Sequence, residues 1–362
     1  MRVLLFGTYD VRVHPRVATL AEGLRAHGVD VAECNAPLGL DTATRVRMLA
    51  RPWLVGGLVL RLVRRWLALA QAARRAGRPD VVLVGYLGHF DVHLARLLFP
   101  RTPIVLDHLV GAMDTALDRR LAGGPRLFAL RLIDAAALRA ADVIVVDTEE
   151  HRDRLTARQR ARALVAPVGA PDSWFGAPDP RRDGPLRVVF FGLYTPLQGT
   201  PTIGAALGAL AAEPIDVTMI GRGQDETRTK AAAGGNPRVR WLDWVTAEDL
   251  PGVVGAADVC LGIFGTSAKA LRVVPNKVFQ GAAAGCAIVT SDTGPQRRVL
   301  GSAAVLVPPG DPDALAAALR SLAADRTELA RLRQESSKLA RAEFAAARIA
   351  AALVSCLEGR LR

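Results

Sequence analysis

Residues 262–292 read GIFGTSAKALRVVPNKVFQGAAAGCAIVTSD. An apolar run closes with Gly262 and Gly265, a loop carries Lys269 and Arg272, a helix opens at Pro275-Asn276, and a β-like run follows Gly285. Strand, loop, helix and strand in that order make a parallel unit whose helix crosses over the sheet. Asn276 is a candidate cap, and Lys277 and Gln280, three apart, share one helix face. The alanines and glycines at 281–285 let that helix lie close on the sheet. A lysine in a first turn opposes the helix dipole, an unfavourable placement unless an anion sits beside it. Lys277 is therefore either a solvated charge near a helix end or part of an anion site. Lys269 and Arg272 add positive charge to the same loop.

Outward from this stretch, apolar strands alternate with helical patterns in both halves of the chain. In the first half the strand candidates are RVLLFG (2–7), DVVLVGY (80–86), PIVLDH (103–108) and DVIVVDT (142–148), with helices predicted near 15–28, 59–75 and 126–141. In the second half they are 186–192, 216–221, 239–244, 258–264, 286–292 and 303–307, followed by a helical tail opened by the capping run Asp311-Pro312-Asp313. Continuous apolar strands separated by helices indicate parallel sheets covered on both faces. A proline- and glycine-rich stretch at 168–185 reads as a linker. The expected fold class is α/β, two doubly wound Rossmann-like domains facing across a cleft. The first domain covers 1–170 plus a last helix at about 345–362, and the second covers 171–344.

A length of 362 residues favours two domains, and 50% hydrophobic residues exclude a disordered chain. Four scattered cysteines, with no CxxC and no Cys/His cluster, argue against a disulfide framework or structural zinc and fit a reducing cytoplasm. No run approaches the ~18–20 apolar residues of a membrane span. The net charge is +12, and nine arginines with no acid lie between Asp41 and Asp80. Nucleic acid, an anionic membrane and an anionic substrate are the partners such a block suits. Aromatics are only 5% and no nucleic-acid motif occurs, so nucleic acid is not expected. In the 59–75 helix, arginines line one side and aliphatic residues the other, a pattern for packing on a sheet or for peripheral membrane contact through 45–78.

Further candidates sit where strands end. Gly192 closes a strand, and Thr195, Gln198 and Gly199 form a turn before a helix: an anion site or a plain tight turn. Gly221-Arg222-Gly223 is a Gly-x-Gly without the third glycine of a dinucleotide fingerprint, and Arg222 is either a phosphate contact or solvated. In the first half, Asp10, His14 and Arg16 follow the first strand, His89 the next, and His108 the one after, with Asp114 on a short helix beyond. Ligands of such sheets bind outside the carboxyl ends of the strands. There His108 could hydrogen-bond a substrate, or a neighbouring backbone group. A P-loop, GxSxG and HExxH are all absent.

With FGLYTPLQG, MIGRG, GIFG, DT at 147–148 and above all KALRVVPNKVFQGAAAG in view, the chain resembles GT-B fold glycosyltransferases, specifically the retaining family 4. The resemblance implies transfer of a sugar from a nucleotide diphosphate donor to an alcohol acceptor with retention, without a protein nucleophile, cofactor or metal. It assigns the donor to the second domain. Gly192–Gly199 and Lys277 contact the diphosphate, Trp244 and Val245 hold the base, Gln280 takes the place of a ribose-binding glutamate, and Arg222, Lys269 and Asn276 are donor-side. His108, Lys277 and Arg272 are the residues expected to carry the chemistry. The acceptor, a small molecule or a lipid-linked alcohol, falls to the first domain with Asp10, His14, Arg16, His89 and Asp114.

Two departures stand out. Arg272 and Gln280 occupy positions where relatives hold two glutamates, and Leu193 and Gln198 replace an arginine and a lysine. An arginine there suits a phosphate or an acidic sugar. The alternatives are a nucleotide-sugar epimerase or hydrolase of the same fold, or a non-catalytic partner subunit, with an NAD-dependent oxidoreductase last. The expected location is the cytoplasm, or the inner membrane face as a peripheral protein.

Overall fold

The computed structural model describes residues 1–11, 14–39, 55–109, 111–119, 124–176 and 184–361. The chain divides into two compact units, Met1–Pro167 with Ile349–Arg362, and Val168–Arg348. Arg45, Arg47 and Arg51 of the basic block lie outside the described residues.

Unit 1 runs β1 (Arg2–Gly7), α1 (Arg16–Ala26), β2 (Asp30–Asn35), α2 (Val55–Ala76), β3 (Val81–Val84), α3 (Asp91–Leu98), β4 (Ile104–Asp107), α4 (Ala112–Asp118), α5 (Pro125–Ala140), β5 (Val143–Val146), α6 (Glu149–Asp153), α7 (Ala157–Arg160) and β6 (Ala163–Val165). The strands form one parallel sheet in the order β2-β1-β3-β4-β5-β6. All four residues of β3 are buried, and they divide by parity. Val82 and Val84 join Leu69, Val92, Ala95 and Ala137 on one face, whereas Val81 and Leu83 join Leu20, Leu24, Leu353 and Leu357 on the other. Period-two side-chain alternation thus feeds two cores, which is why the strand reads as continuously apolar.

Unit 2 runs β7 (Leu186–Phe191), α8 (Thr200–Ala209), β8 (Ile215–Ile220), α9 (Glu226–Ala232), β9 (Val239–Leu242), α10 (Leu250–Gly255), β10 (Val259–Leu261), α11 (Asn276–Ala283), β11 (Ala287–Ser291), α12 (Gly294–Leu300), β12 (Ala304–Val307), α13 (Pro312–Ala324) and α14 (Arg326–Leu339). Its parallel sheet has the order β12-β11-β10-β7-β8-β9. Asp311 caps α13, its side chain accepting the Ala314 N–H at 2.9 Å. A final helix, α15 (Ala346–Leu361), carries Ile349, Leu353 and Leu357 into the core of unit 1.

Two sequence expectations need correction. Residues 168–176 are not a plain linker. Trp174 is buried and its ring stacks on Phe191 at 5.6 Å, so indole burial holds this segment on unit 2. Asn276 does not cap α11. It is the first helical residue, and Pro275, extended at ψ 153°, occupies the cap position, a conformation that proline's fixed φ suits.

In each sheet the strand order reverses once, between β1 and β3 in unit 1 and between β7 and β10 in unit 2. Loops that leave the two strands at such a point diverge to opposite faces and open a crevice at the carboxyl edge. The residues after β1, β3, β7 and β10 are therefore the ones the fold exposes to a ligand.

Candidate functional site

In unit 2 the reversal brings the turn after β7 against the loop after β10. Gly192 leaves β7 with φ +139°, and Thr195 precedes the short 3-10 turn Pro196–Gln198. Gly199, left-handed at φ +64°, redirects the chain into α8. The Phe264 N–H donates to the Gln198 carbonyl at 3.0 Å. A side chain on Gly199 would overlap the backbone of Phe264 and Gly265, and one on Gly265 the carbonyls of Pro196 and Leu197. Only glycine permits this approach of two backbones. Gly265→Ala is expected to cost roughly 1–3 kcal/mol through that overlap. Denaturant unfolding of the purified variant checks this, and an unchanged midpoint would remove the packing role.

The same logic explains the incomplete Gly-x-Gly. Side chains on Gly221 or Gly223 would overlap the backbones of Gly192 and Tyr194. The two glycines let the β8 turn nest against the β7 turn. The Tyr194 N–H donates to Arg222 O at 3.0 Å, and the Tyr194 carbonyl accepts from Asp225 N at 3.1 Å. Arg222 itself points to the surface, 3.4 Å from both Glu226 and Asp243.

Lys277 lies beneath this turn. It is 4% exposed, its Nζ sits 3.8 Å from the centroid of the Phe190 ring, and it donates to the side-chain oxygen of Gln198. A side chain on Gly192 would stand 3.1 Å from that Nζ. A buried ammonium held by a neutral amide and a ring face, with no carboxylate in reach among the described residues, is costly. Burial accordingly pushes the Lys277 pKa down to about 7. The arrangement is short of one negative charge, and the uncovered Gly192 backbone leaves a way to it. Gln280 is buried one turn further along α11, and Asn276 is half-buried at its start. Lys269 and Arg272 are half-buried on the 3-10 turn Ala270–Arg272 and its lead-in, within the same β10–α11 connection.

Trp244 and Val245 are placed elsewhere. They follow β9 and line a cavity of ≈ 940 Å³ together with Thr218, Arg240, Asp249 and Val253, bounded by β7–β9 and α10. Trp244 is 73% exposed.

In unit 1 the carboxyl edge gathers histidines. His108 follows β4, its N–H donating to Val145 O at 2.8 Å, and its ring meets His89 edge-on at 5.5 Å. Burial first, then His89, pushes the His108 pKa down to about 4, so the ring is neutral at pH 7. His89 Nε2 lies 3.0 Å from Asp134 Oδ1, and Asp134 also accepts the N–H groups of Ala112 and Met113 at 2.8 and 3.0 Å. Burial raises the Asp134 pKa, but these hydrogen bonds outweigh it and leave the carboxyl below its ordinary value. Nearby, Asp147 is hydrogen-bonded to His151, whose N–H is taken by the capping side chain of Thr148 at 3.2 Å. His14 stacks on Tyr86 at 4.2 Å, and its N–H donates to Asp10 O at 3.2 Å. Leu87, with φ +62°, holds the turn after β3 in the left-handed region that a branched side chain adopts at a cost. Asp114 is half-buried, 3.4 Å from Arg154.

Arg16 is a correction. Expected on the acceptor side, it is fully enclosed. Its Nε lies 3.1 Å from Asp107 Oδ1, and its Nη1 donates to Pro167 O. It ties the start of α1 to the end of β4 and to the backbone just past β6 instead of facing a ligand. Tyr86, Asp134 and His151 are the members of this edge that the sequence reading missed. His151 had a signal, a histidine at the third helical position after an Asp-Thr strand end. Asp134 had none, because its partners, His89 and the N–H groups of Ala112 and Met113, lie 21 or more residues away on other elements.

Among the described residues no group of three or more His, Cys, Asp or Glu is arranged to hold a metal ion, and no helix is long and apolar enough to cross a membrane. Residues 185–325 match the family described as Glycosyl transferases group 1. No curated protein matches the sequence. By structure the chain is similar to sucrose-phosphate synthase from Thermosynechococcus elongatus (TM-score 0.71, 15% identity, 99% of this chain and 98% of that one). It is similar to HepE from Anabaena in complex with UDP-glucose (0.70, 14%, 99% and 100%), and to the trehalose-6-phosphate synthase OtsA (0.68, 14%, 99% and 99%). The fold is GT-B.

Proposed function

From the match of residues 185–325 to the family described as Glycosyl transferases group 1, we propose that this chain transfers a sugar from a nucleotide diphosphate donor to an alcohol, with retention and without a metal or cofactor. Unit 2 binds the donor and unit 1 the acceptor. The observation that carries the reading is Lys277, a buried ammonium lacking a counter-charge beside Gly192 at the strand-order reversal. A diphosphate supplies the missing charge. HepE, similar in fold, is described with UDP-glucose, which supports a nucleotide-sugar as the ligand.

In the transfer, the acceptor oxygen forms a bond to the anomeric carbon while the bond from that carbon to the diphosphate oxygen breaks. The electron pair of the broken bond goes to the diphosphate, which also takes the acceptor's proton. Charge therefore grows on the leaving group, and fixed cations in a water-poor pocket stabilise it more than they stabilise the ground state. Lys277 is placed to do this, and Lys269 and Arg272 add charge from the neighbouring loop. Arg272 also suits a donor whose sugar bears a carboxylate. The neutral His108 ring donates or accepts a hydrogen bond without carrying charge, which fits orienting a sugar or acceptor hydroxyl. The acceptor is a small molecule or a lipid-linked alcohol.

Two measurements test this. A thermal-shift screen of UDP-, dTDP-, GDP- and ADP-sugars should give one clear stabiliser, worth about 2.7 kcal/mol at a hundredfold excess over Kd. No stabilisation by any of them would reject donor binding. Calorimetry of the best donor against pH is the second. Lys277 is charged below about pH 7 and neutral above it, and the diphosphate recruits the charged form. The two phosphates of a nucleotide-sugar do not titrate in this range. Affinity should therefore fall by up to about tenfold per pH unit above about pH 7. A flat profile would remove Lys277 from the phosphate site.

A further inference from the structure

We propose that unit 1 docks on an anionic lipid surface through the N-terminal ends of α2 and α5, which overhang the carboxyl edge of its sheet on either side of the histidine cluster.

The overhang follows from where each helix touches the strands. The C-terminal end of α2 reaches the start of β1, where Gly77 lies beside Arg2. Ten residues earlier, Trp66 Nε1 donates to Asp91 at 2.9 Å, and Asp91 also takes the Thr8 N–H just past the end of β1 at 2.7 Å. Trp66 therefore marks the carboxyl edge, and residues 55–65 extend about 16 Å beyond it at about 1.5 Å per residue. On α5 the corresponding marker is Asp134, which takes the N–H groups of Ala112 and Met113 just past β4. Residues 125–133 run on for about 13 Å. Leu69 and Ala73 of α2, Val92 and Ala95 of α3, and Ala137 and Leu138 of α5 share one core cluster, so the three helices cover the same face of the sheet. α3, between the other two, begins at the edge itself, and His89 and Phe90 lie in the gap.

The overhanging parts carry matching chemistry. Val59, Leu60, Val63 and Leu67 are 45–61% exposed and fall within about a third of a turn of one another on α2. Leu69 and Ala73 point to the core from a different sector, and Arg61, Arg64 and Arg65 are exposed on a third. On α5, Phe128 and Leu132, one turn apart, are 62% and 52% exposed, with exposed Arg126 and Arg131 alongside. Residues 55–79 include no acid, and the sole acid of α5 is Asp134, engaged by His89. Two apolar strips flanked by guanidinium groups suit the boundary between acyl chains and anionic headgroups, where arginine buries its stem and keeps its charge at the phosphates. A protein partner would more often be met with charges of both signs.

Docking in this way sets the histidine cluster between two membrane-seated helix ends. The consequence that the acceptor alcohol is carried by a lipid rests on the glycosyltransferase reading; the docking itself does not. The test is co-sedimentation of the full chain with phosphatidylcholine vesicles, with and without phosphatidylglycerol. The chain should pellet with the anionic vesicles only, and added salt should release it. The variants Val63→Glu with Leu67→Glu, and Phe128→Glu with Leu132→Glu, should each lower partitioning by at least about tenfold. These side chains are exposed, so the melting temperature and nucleotide-sugar binding should stay unchanged. Equal binding to neutral vesicles, or no binding to either, overturns the proposal. So does a dimer in sedimentation velocity that both pairs dissolve without any vesicle binding, since the strips then meet a second copy. Loss of donor binding with vesicle binding intact would instead count against the proposed function alone.

Discussion

Lys277→Met is expected to lower sugar transfer by about 10²–10³-fold and donor affinity by about 10–150-fold, with the chain still folded. Methionine fills the same channel over the Phe190 ring and keeps the contact with sulfur in place of nitrogen. It removes the one hydrogen bond to Gln198, whose amide can rehydrate at the turn. Folding should not suffer, because the lysine is a strained occupant. Its pKa stands near 7 in the fold against 10.5 for a free side chain. Between those values the unfolded chain holds the extra proton, so this group's contribution to stability rises with pH while diphosphate affinity falls. Methionine should abolish both slopes. The measurements are calorimetric donor binding and thermal unfolding, each against pH. A variant that binds donor as tightly as the parent would show that the buried charge serves something other than the diphosphate.

Asp107→Ala should be the most destabilising single change, at about 3–5 kcal/mol. Both partners of the Arg16–Asp107 pair are completely enclosed. Burial drives the Asp107 carboxyl up, and Arg16 opposes this through its charge and its hydrogen bonds. Removing the carboxylate strands the guanidinium against Pro167 O, one neutral acceptor for a full charge. A drop of about 10 °C or more in the melting of unit 1 is expected. The double replacement Arg16→Met with Asp107→Leu should recover most of it, since matched apolar groups remove the desolvation penalty. Scanning calorimetry checks both. If Asp107→Ala melts like the parent, the pair is not holding α1 to β4. Because Asp107 directly precedes His108, the single variant should also loosen the histidine edge.

These two residues show what can be read from the chain and what cannot. Lys277 announces itself locally, as a cation in the first turn of a small-residue helix. Arg16 has the same local signature, a cation in the first turn of a helix, yet its partner lies 91 residues away and no short pattern reveals it. Strands buried on both faces, such as β3 and β5, are legible as apolar runs. The edge strands β2 and β6 are not legible in this way, because β2 has one buried residue in six and β6 is three half-buried residues. The Gly-x-Gly at 221–223 was ambiguous, since glycine is needed equally by a bound pyrophosphate and by a neighbouring turn, and here the neighbouring turn takes the space. The assembly of His89, His108 and Asp134 needed two loops and a helix to be set side by side.

Residues 349–357, which fill the underside of the first sheet beside Leu20 and Leu24, come after every strand of the other unit. During synthesis, then, the half that emerges first is the last to be sealed. Its β1, β3 and β5 wait with one apolar flank open until the opposite half has been translated, and closing that flank is a ring-like return of the polypeptide to its own beginning.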